Sequence, residues 1–309
     1  MQWQGFVLVL AGAFLFALYE TLNKKLIVKK LPADCAATVN FLGGGLLLFL
    51  VSLCFDPPQI KSWFDFREGL FWPLIATSLL NIVILFGNVR ALKYGDVSLI
   101  APIAATQPLV VILPSWLILR ERPDAFGYFG LLLMAIGMYV FSFAEEIKNW
   151  QPPIWLSWLG SKARYFAPWQ MLFRNRGVQI AVAVACSGAV SINFDKLSAF
   201  RSSATFAPAC ILFFCGFIGA VKTVREGEWH DFDKDHLLSL IAAPIVFAIV
   251  LVCYWAAFHY GMAAYVGAVK RTSAIFALFL GLVFLKEMKA LKRWPGAVIM
   301  TAGAVLLSL

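Results

Sequence analysis

Charge is what this sequence has least of. Asp, Glu, Lys and Arg make up 14% of its 309 residues, against about 25% in an ordinary soluble domain, which excludes a globule solvated by water on all sides. Histidine is scarcer still, with three residues, and the six cysteines (Cys35, Cys54, Cys186, Cys210, Cys215 and Cys253) form no CxxC pair and lie away from any histidine cluster. A zinc site and a thiol redox pair therefore lack their donors, and the cysteines read as small apolar packing residues. There is no HExxH, no pair of intramembrane acids and no nucleophile motif, so a membrane-embedded enzyme would have no convergent catalytic groups. No catalytic residue, metal ligand or cofactor is expected. The opening run, Gly5 to Leu22, has no basic start (Met1-Gln2-Trp3-Gln4) and no small-residue cleavage site before Lys24 and Lys25. It reads as a retained span, not a signal peptide.

What is present is apolar and long. Hydrophobic residues make up 61% of the chain, and the mean hydropathy is +0.80. A bilayer core of about 30 Å takes about 20 apolar residues as a helix. Runs of that order recur at 5–22, 34–55, 70–89, 97–119, 125–143, 177–194, 203–222, 237–258, 263–285 and 294–309. The fold expected is an all-α integral membrane protein of ten transmembrane helices in a lipid bilayer, with no room for a separate soluble domain. The net charge of +9 does not imply nucleic acid, because nearly all Lys and Arg sit in connections beside apolar runs, as membrane-surface charge does.

Most connections are short, and two are not. Residues 56–69 carry Asp56-Pro57-Pro58 and mixed charges, while residues 144–176 set Trp150, Trp155, Trp158 and Trp169 among Lys148, Lys162, Arg164, Arg174 and Arg176. The second segment is too polar to span. Its aromatic and basic residues suit the headgroup region and predict an interfacial helix, with a disordered linker as the alternative. It divides the chain into five-span halves at 1–143 and 177–309.

The halves are alike. Ala91-Leu92-Lys93-Tyr94-Gly95 precedes the fourth run as Ala257-Phe258-His259-Tyr260-Gly261 precedes the ninth. At the same offset Arg120-Glu121 falls on Lys286-Glu287, Thr106-Gln107 on Thr272-Ser273, and Gly130 and Gly137 on Gly296 and Gly303. Lys25-Leu26 near the end of the first run matches Lys196-Leu197 near the end of the sixth. A five-span unit enters and leaves on opposite faces. Two consecutive copies are therefore inverted five-helix repeats, the arrangement common in secondary transporters, whose two pseudo-symmetric packings open to opposite sides.

These features resemble the drug/metabolite transporter superfamily, specifically its ten-span members with two EamA-type repeats. The resemblance covers essentially the whole chain. It rests on the Ala-Leu-Lys-Tyr-Gly turn at 91–95, the charged ends Arg120-Glu121 and Lys286-Glu287, and the glycine-rich fifth and tenth runs. It implies transport rather than chemistry and does not identify a substrate. Val266-Gly267-Ala268-Val269-Lys270-Arg271 is similar to the Lys-Arg segment of the plastid sugar-phosphate translocators. That similarity implies a phosphate-binding role for Lys270 and Arg271 alone, since the rest of the translocator pattern is not evident. The first repeat has Ala104 and Ala105 at the matching positions, so the pair is not a scaffold feature.

Lys270 and Arg271 stand near mid-depth of their span, where each cation costs about 2.5–3.5 kcal/mol to insert. A cavity-facing anion site would repay that, with Arg offering bidentate bonds to phosphate or carboxylate. The alternative is an internal ion pair with Glu20 or Asp195, both near span ends. Thr272 follows the pair. Span four carries Pro102, Pro108 and Pro114 around Thr106 and Gln107. Backbone groups freed by proline are tolerated at membrane depth only if buried in protein or facing a watered cavity, which makes Thr106 and Gln107 candidate contacts. Asn81 and Asn88 are seven residues apart on one helical face, and Tyr254 is the repeat mate of Asn88. All three are candidates to line a cavity, against plain interhelical hydrogen bonding, and Asn23, Asn40 and Asn193 share that ambiguity. His259 reads as interfacial, with proton coupling as the alternative, and His230 and His236 as solvated. The Gly43-Gly44-Gly45 run and the glycines of spans five and ten read as close-contact surfaces, the latter also as candidate homodimer contacts.

Eighteen of the 26 basic residues lie in odd-numbered connections and six in even-numbered ones, so the positive-inside rule puts both termini outside. Relatives of this type are expected to have both inside. The sequence reads as a multi-pass protein of a bacterial inner (plasma) membrane that carries a small anionic, phosphate- or carboxylate-bearing metabolite by alternating access, through exchange or ion coupling. The alternative is an exporter of amino acids or amphipathic drugs in which the basic pair serves structure.

Overall fold

The computed structural model of the chain describes residues 1–28, 33–58, 69–95, 97–142, 166–225, 234–285 and 292–309. Among them every regular element is helical, as the hydrocarbon core demands of a chain that must satisfy each backbone N–H and C=O internally. Spans one to three are Trp3–Val28, Ala33–Phe55 and Phe71–Tyr94. Span four is interrupted: helices Val97–Ala104, Gln107–Val110 and Ile112–Pro114 lead into a π turn, Ser115–Leu119. It ends at Arg120 in the left-handed conformation, φ 57°. Span five is Ala125–Ser142, six Arg176–Arg201, seven Phe206–Arg225 and eight Lys234–Ala257. Span nine is broken, and span ten is the shorter helix Trp294–Ser308. Nine of these, among the described residues, are long and apolar enough to cross a membrane.

The bounds depart from the sequence expectation most in span six. It runs past 194 to Arg201 because its charged residues find partners instead of ending the helix. Lys196 Nζ donates to the carbonyl of Gly261 at 2.6 Å, and Asp195 accepts from the Thr77 hydroxyl. The interfacial helix expected over 144–176 falls outside the described residues as far as 165, as do Lys286-Glu287 and His230. The described remainder forms the short helix Ala167–Gln170 and the turn Met171–Phe173. There the half-exposed Trp169 donates its indole N–H to Tyr139 Oη at 3.0 Å, the amphipathic use of tryptophan that suits a headgroup region.

The chain folds as two compact units, and they are not the two sequence repeats. The first holds Met1–Leu79 and Ser191–Lys286, and the second Leu80–Val190 and Glu287–Leu307. Small residues set the packing in both, as expected where lipid is as apolar as the core and close approach must supply the attraction. In the first unit, a Cβ on Gly45 would lie 3.3 Å from Leu212 Cβ, and one on Gly216 2.9 Å from Leu42, so spans two and seven meet closely. Tyr19 of span one stacks on Phe247 of span eight, ring centroids 4.6 Å apart, and receives a hydrogen bond from the Asn40 amide at 3.4 Å. Asn40 thus acts as interhelical glue. In the second unit, spans five and ten cross on four glycines. A Cβ on Gly137 would come 2.5 Å from Met300 N, and one on Gly296 2.4 Å from Phe141 N. Gly303 and Gly130 repeat the contact about two turns on. The glycines expected to mediate close contact do so within the chain.

Candidate substrate site

Span nine is helical from Ala263 to Val269, turns as a 3-10 segment through Lys270-Arg271-Thr272, and resumes at Ser273. Its repeat mate is interrupted at the matching place: span four ends its first helix at Ala104 and restarts at Gln107. The local chemistry is shared. Thr272 Oγ1 donates to the carbonyl of Val269 at 2.7 Å, and Thr106 Oγ1 donates to that of Ile103 at 2.7 Å. A hydroxyl that bonds the carbonyl three residues back competes with the regular helical ladder. In span four Pro108 adds a cause, since it has no N–H for Ala104. Span nine has Ala274 there, so its break does not depend on proline. Both repeats depart from the α-helix at one position of a span, and only the second places two cations there.

Around those cations the first unit assembles a small polar cluster. Lys270 Nζ stands 5.1 Å from the centroid of the Tyr254 ring, a cation–π contact. Tyr254 is 4% exposed, and its hydroxyl is buried without a hydrogen-bond partner among the described residues. The ring fits there because span one presents Gly12, where a Cβ would lie 2.7 Å from Tyr254 Cε1. Asp195 of span six lies within electrostatic reach of Lys270, and Glu20 of span one within reach of Arg271. The Asp195 carboxylate accepts from Thr77 Oγ1, which is 2.8 Å from Ser191 Oγ. Spans six and nine touch at Gly267, where a Cβ would meet Ile192 Cδ1 at 2.6 Å. Lys270, Arg271 and Asp195 are partly exposed and Glu20 is exposed. Among the described residues neither cation forms an ion pair with a carboxylate. No carboxylate takes up a side-chain donor of Lys270 or Arg271 among the described residues.

Lys270, Arg271, Thr272 and Tyr254 are thus brought together in the first unit. Thr106 and Gln107 share the break in the second, where Gln107 lies against Gly188: a Cβ there would come 2.5 Å from Gln107 Nε2. Asn81 and Asn88 fall on span three in the second unit, the first partly exposed and the second exposed. His259 ends span eight, exposed, with its ring edge-on to Phe200 at 4.7 Å. Sequence reasoning weighed Asp195 and Glu20 only as structural partners and did not single out Gly12, Thr77 or Ser191. A glycine inside an unbroken apolar run was the available signal for Gly12.

Because a methyl group on span one would fall 2.7 Å from Tyr254 Cε1 and 3.1 Å from Cys253 Cβ, so that ring or helix must shift, Gly12→Ala is expected to destabilise the protein by about 1–3 kcal/mol. It should also weaken anion binding, through displacement of the ring under Lys270. Melting curves in detergent with and without inorganic phosphate measure both. An unchanged melt with unchanged phosphate response would mean the ring is not held as described.

Residues 3–143 and 177–309 match the model of the EamA-like transporter family. A solved structure described as "Crystal structure of protein" superposes with a TM-score of 0.70 over 98% of this chain and 94% of that one, at 15% identity. At that identity the likeness establishes the fold alone. No curated protein sequence matches the chain.

Proposed function

We propose, from the premise that the chain belongs to the EamA-like transporter family, that it carries a small anionic metabolite bearing a phosphate or carboxylate, by alternating access. The observation that carries this reading is the break in span nine, which holds Lys270 and Arg271 mid-span, partly exposed and without an ion pair among the described residues. Arg271 offers a planar fork for two parallel hydrogen bonds to an oxyanion, and Lys270 a compact point charge. The buried Tyr254 hydroxyl is a third donor, and an unmade hydrogen bond of that kind costs about 1–3 kcal/mol, which a bound oxyanion would recover. An anion drives the change of state only through unequal interaction with the two states. A bacterial inner membrane is the location that goes with this reading.

The second reading, an exporter of amino acids or amphipathic drugs, is favoured by one observation: Asp195 and Glu20 lie within reach of the two cations, as a purely structural charge balance would require. Purified protein in liposomes separates the two. Uptake of labelled inorganic phosphate or of a labelled dicarboxylate supports the anion carrier. If a thermal-shift screen finds that only neutral or cationic compounds raise the melting temperature, the anion reading is lost.

A further inference from the structure

We propose that Asp195, Thr77 and Ser191 form a binding site for a small monovalent cation, sodium. The site goes beyond the anion reading and does not rest on it. Asp195 and Ser191 are four residues apart on span six and so share one of its faces. Thr77 comes to that face from span three. Its hydroxyl meets both residues, donating to Asp195 Oδ1 and lying 2.8 Å from Ser191 Oγ. Three oxygens from two helices thus come together, two neutral and one charged. Thr77 and Ser191 are buried, whereas Asp195 is partly exposed, so an ion can reach the carboxylate.

Charge decides what the cluster takes. Asp195 lies about 9 Å inside the end of span six at Arg201, and Thr77 as far inside the start of span three at Phe71. The basic residues beside it on span six bond backbone: Lys196 Nζ donates to the Gly261 carbonyl, and Arg201 Nη1 to that of Gly69 at 2.7 Å. Among the described residues Asp195 forms no ion pair. A hydrogen bond from Thr77 stabilises the carboxylate without cancelling its charge, and a charge left uncompensated at that depth is costly. A hydroxyl oxygen carries two lone pairs beside its proton, so Thr77 and Ser191 can serve as ligands by turning their protons away. An all-oxygen set selects a hard cation. One carboxylate among neutral hydroxyls suits a single positive charge, whereas calcium gathers a larger set of oxygens. The close approach of the three oxygens favours sodium over the larger potassium, and water on the exposed side of Asp195 completes the shell.

Melting curves of the detergent-purified chain in sodium, potassium and choline chloride, at equal ionic strength and one pH above neutral, test the site. Sodium should raise the melting temperature with its concentration, as a ligand of the folded state does, with potassium weaker and choline without effect. Asp195→Asn should melt alike in all three salts. Thr77→Val and Ser191→Ala each remove one neutral ligand and should weaken sodium about tenfold. Thr77→Ser keeps the hydroxyl and should respond as the wild type does. Should Asp195→Asn fail to fold, the Thr77 and Ser191 variants decide. Identical wild-type melting in the three salts would make the Thr77 bond interhelical glue alone and overturn the site, as would a response to potassium equal to that of sodium. A sodium response that survives in Asp195→Asn, or that Thr77→Val and Ser191→Ala both leave unchanged, overturns it as well. Binding of inorganic phosphate, measured separately, decides the anion reading, and neither result depends on the other.

Discussion

Gly137→Leu and Gly296→Leu should each leave little or no folded protein in detergent. At both positions the added Cβ meets backbone atoms of the facing helix, Met300 N at 2.5 Å and Phe141 N at 2.4 Å, and backbone cannot rotate away as a side chain can. The two helices would have to separate along the seam that Gly130 and Gly303 continue. Overpacking a well-fitted core costs about 1–3 kcal/mol and occasionally more. A leucine against backbone belongs at or beyond the upper end, a large share of the total stability of about 5–15 kcal/mol that folded proteins carry. Gly69→Ala is the control, because its Cβ would find its nearest neighbour, Arg201, at 3.8 Å, an ordinary contact. It should change the melt by less than about 0.5 kcal/mol. Fluorescence-detected size exclusion and melting curves report both. A monodisperse Gly137→Leu protein melting with the wild type would show that spans five and ten do not pack on these glycines.

The glycine seam was legible in the sequence because a small residue at a fixed repeat offset has few uses inside an apolar helix. The ten spans were legible for the same kind of reason, since a bilayer sets the length that an apolar run must have. The division into units, with a cut inside span three at Leu79 and another inside span six at Val190, was not. Hydropathy cannot report it, because a lipid-facing residue such as Phe217, 66% exposed, and a fully buried one such as Leu131 obey the same solvent preference. The broken spans were half legible. Three prolines announced the irregular span four, whereas span nine breaks on Thr272 with no proline to mark it. Asp195 was discounted because a charge after an apolar run resembles a loop. Its place inside the helix depends on Thr77, far off in the chain, and no local pattern encodes that partner.

Neutralising both cations, Lys270→Gln with Arg271→Gln, should abolish uptake of the anion in liposomes while the protein remains folded. Charge-assisted hydrogen bonds contribute about 1.5–3 kcal/mol each. Losing two takes away about 3–6 kcal/mol of anion affinity, roughly a factor of 10² to 10⁴, and uptake at low substrate should fall with it. Arg271→Lys keeps the charge and removes the fork, so it should sit between wild type and the double variant. The melt without anion discriminates between the two readings of the pair. If Lys270 and Arg271 exist to hold an anion, removing them also removes two charges that each cost about 2.5–3.5 kcal/mol to place at mid-depth. That gain offsets the loss of balance against Asp195 and Glu20, and the empty protein should melt near the wild type. If the pair exists to balance those two acids, both carboxylates are left uncompensated at membrane depth. The melt should then drop by several kcal/mol, and transport of whatever the protein carries would be lost along with the fold. A double variant that is well folded and still accumulates labelled phosphate at the wild-type rate would remove the span-nine break from substrate binding altogether.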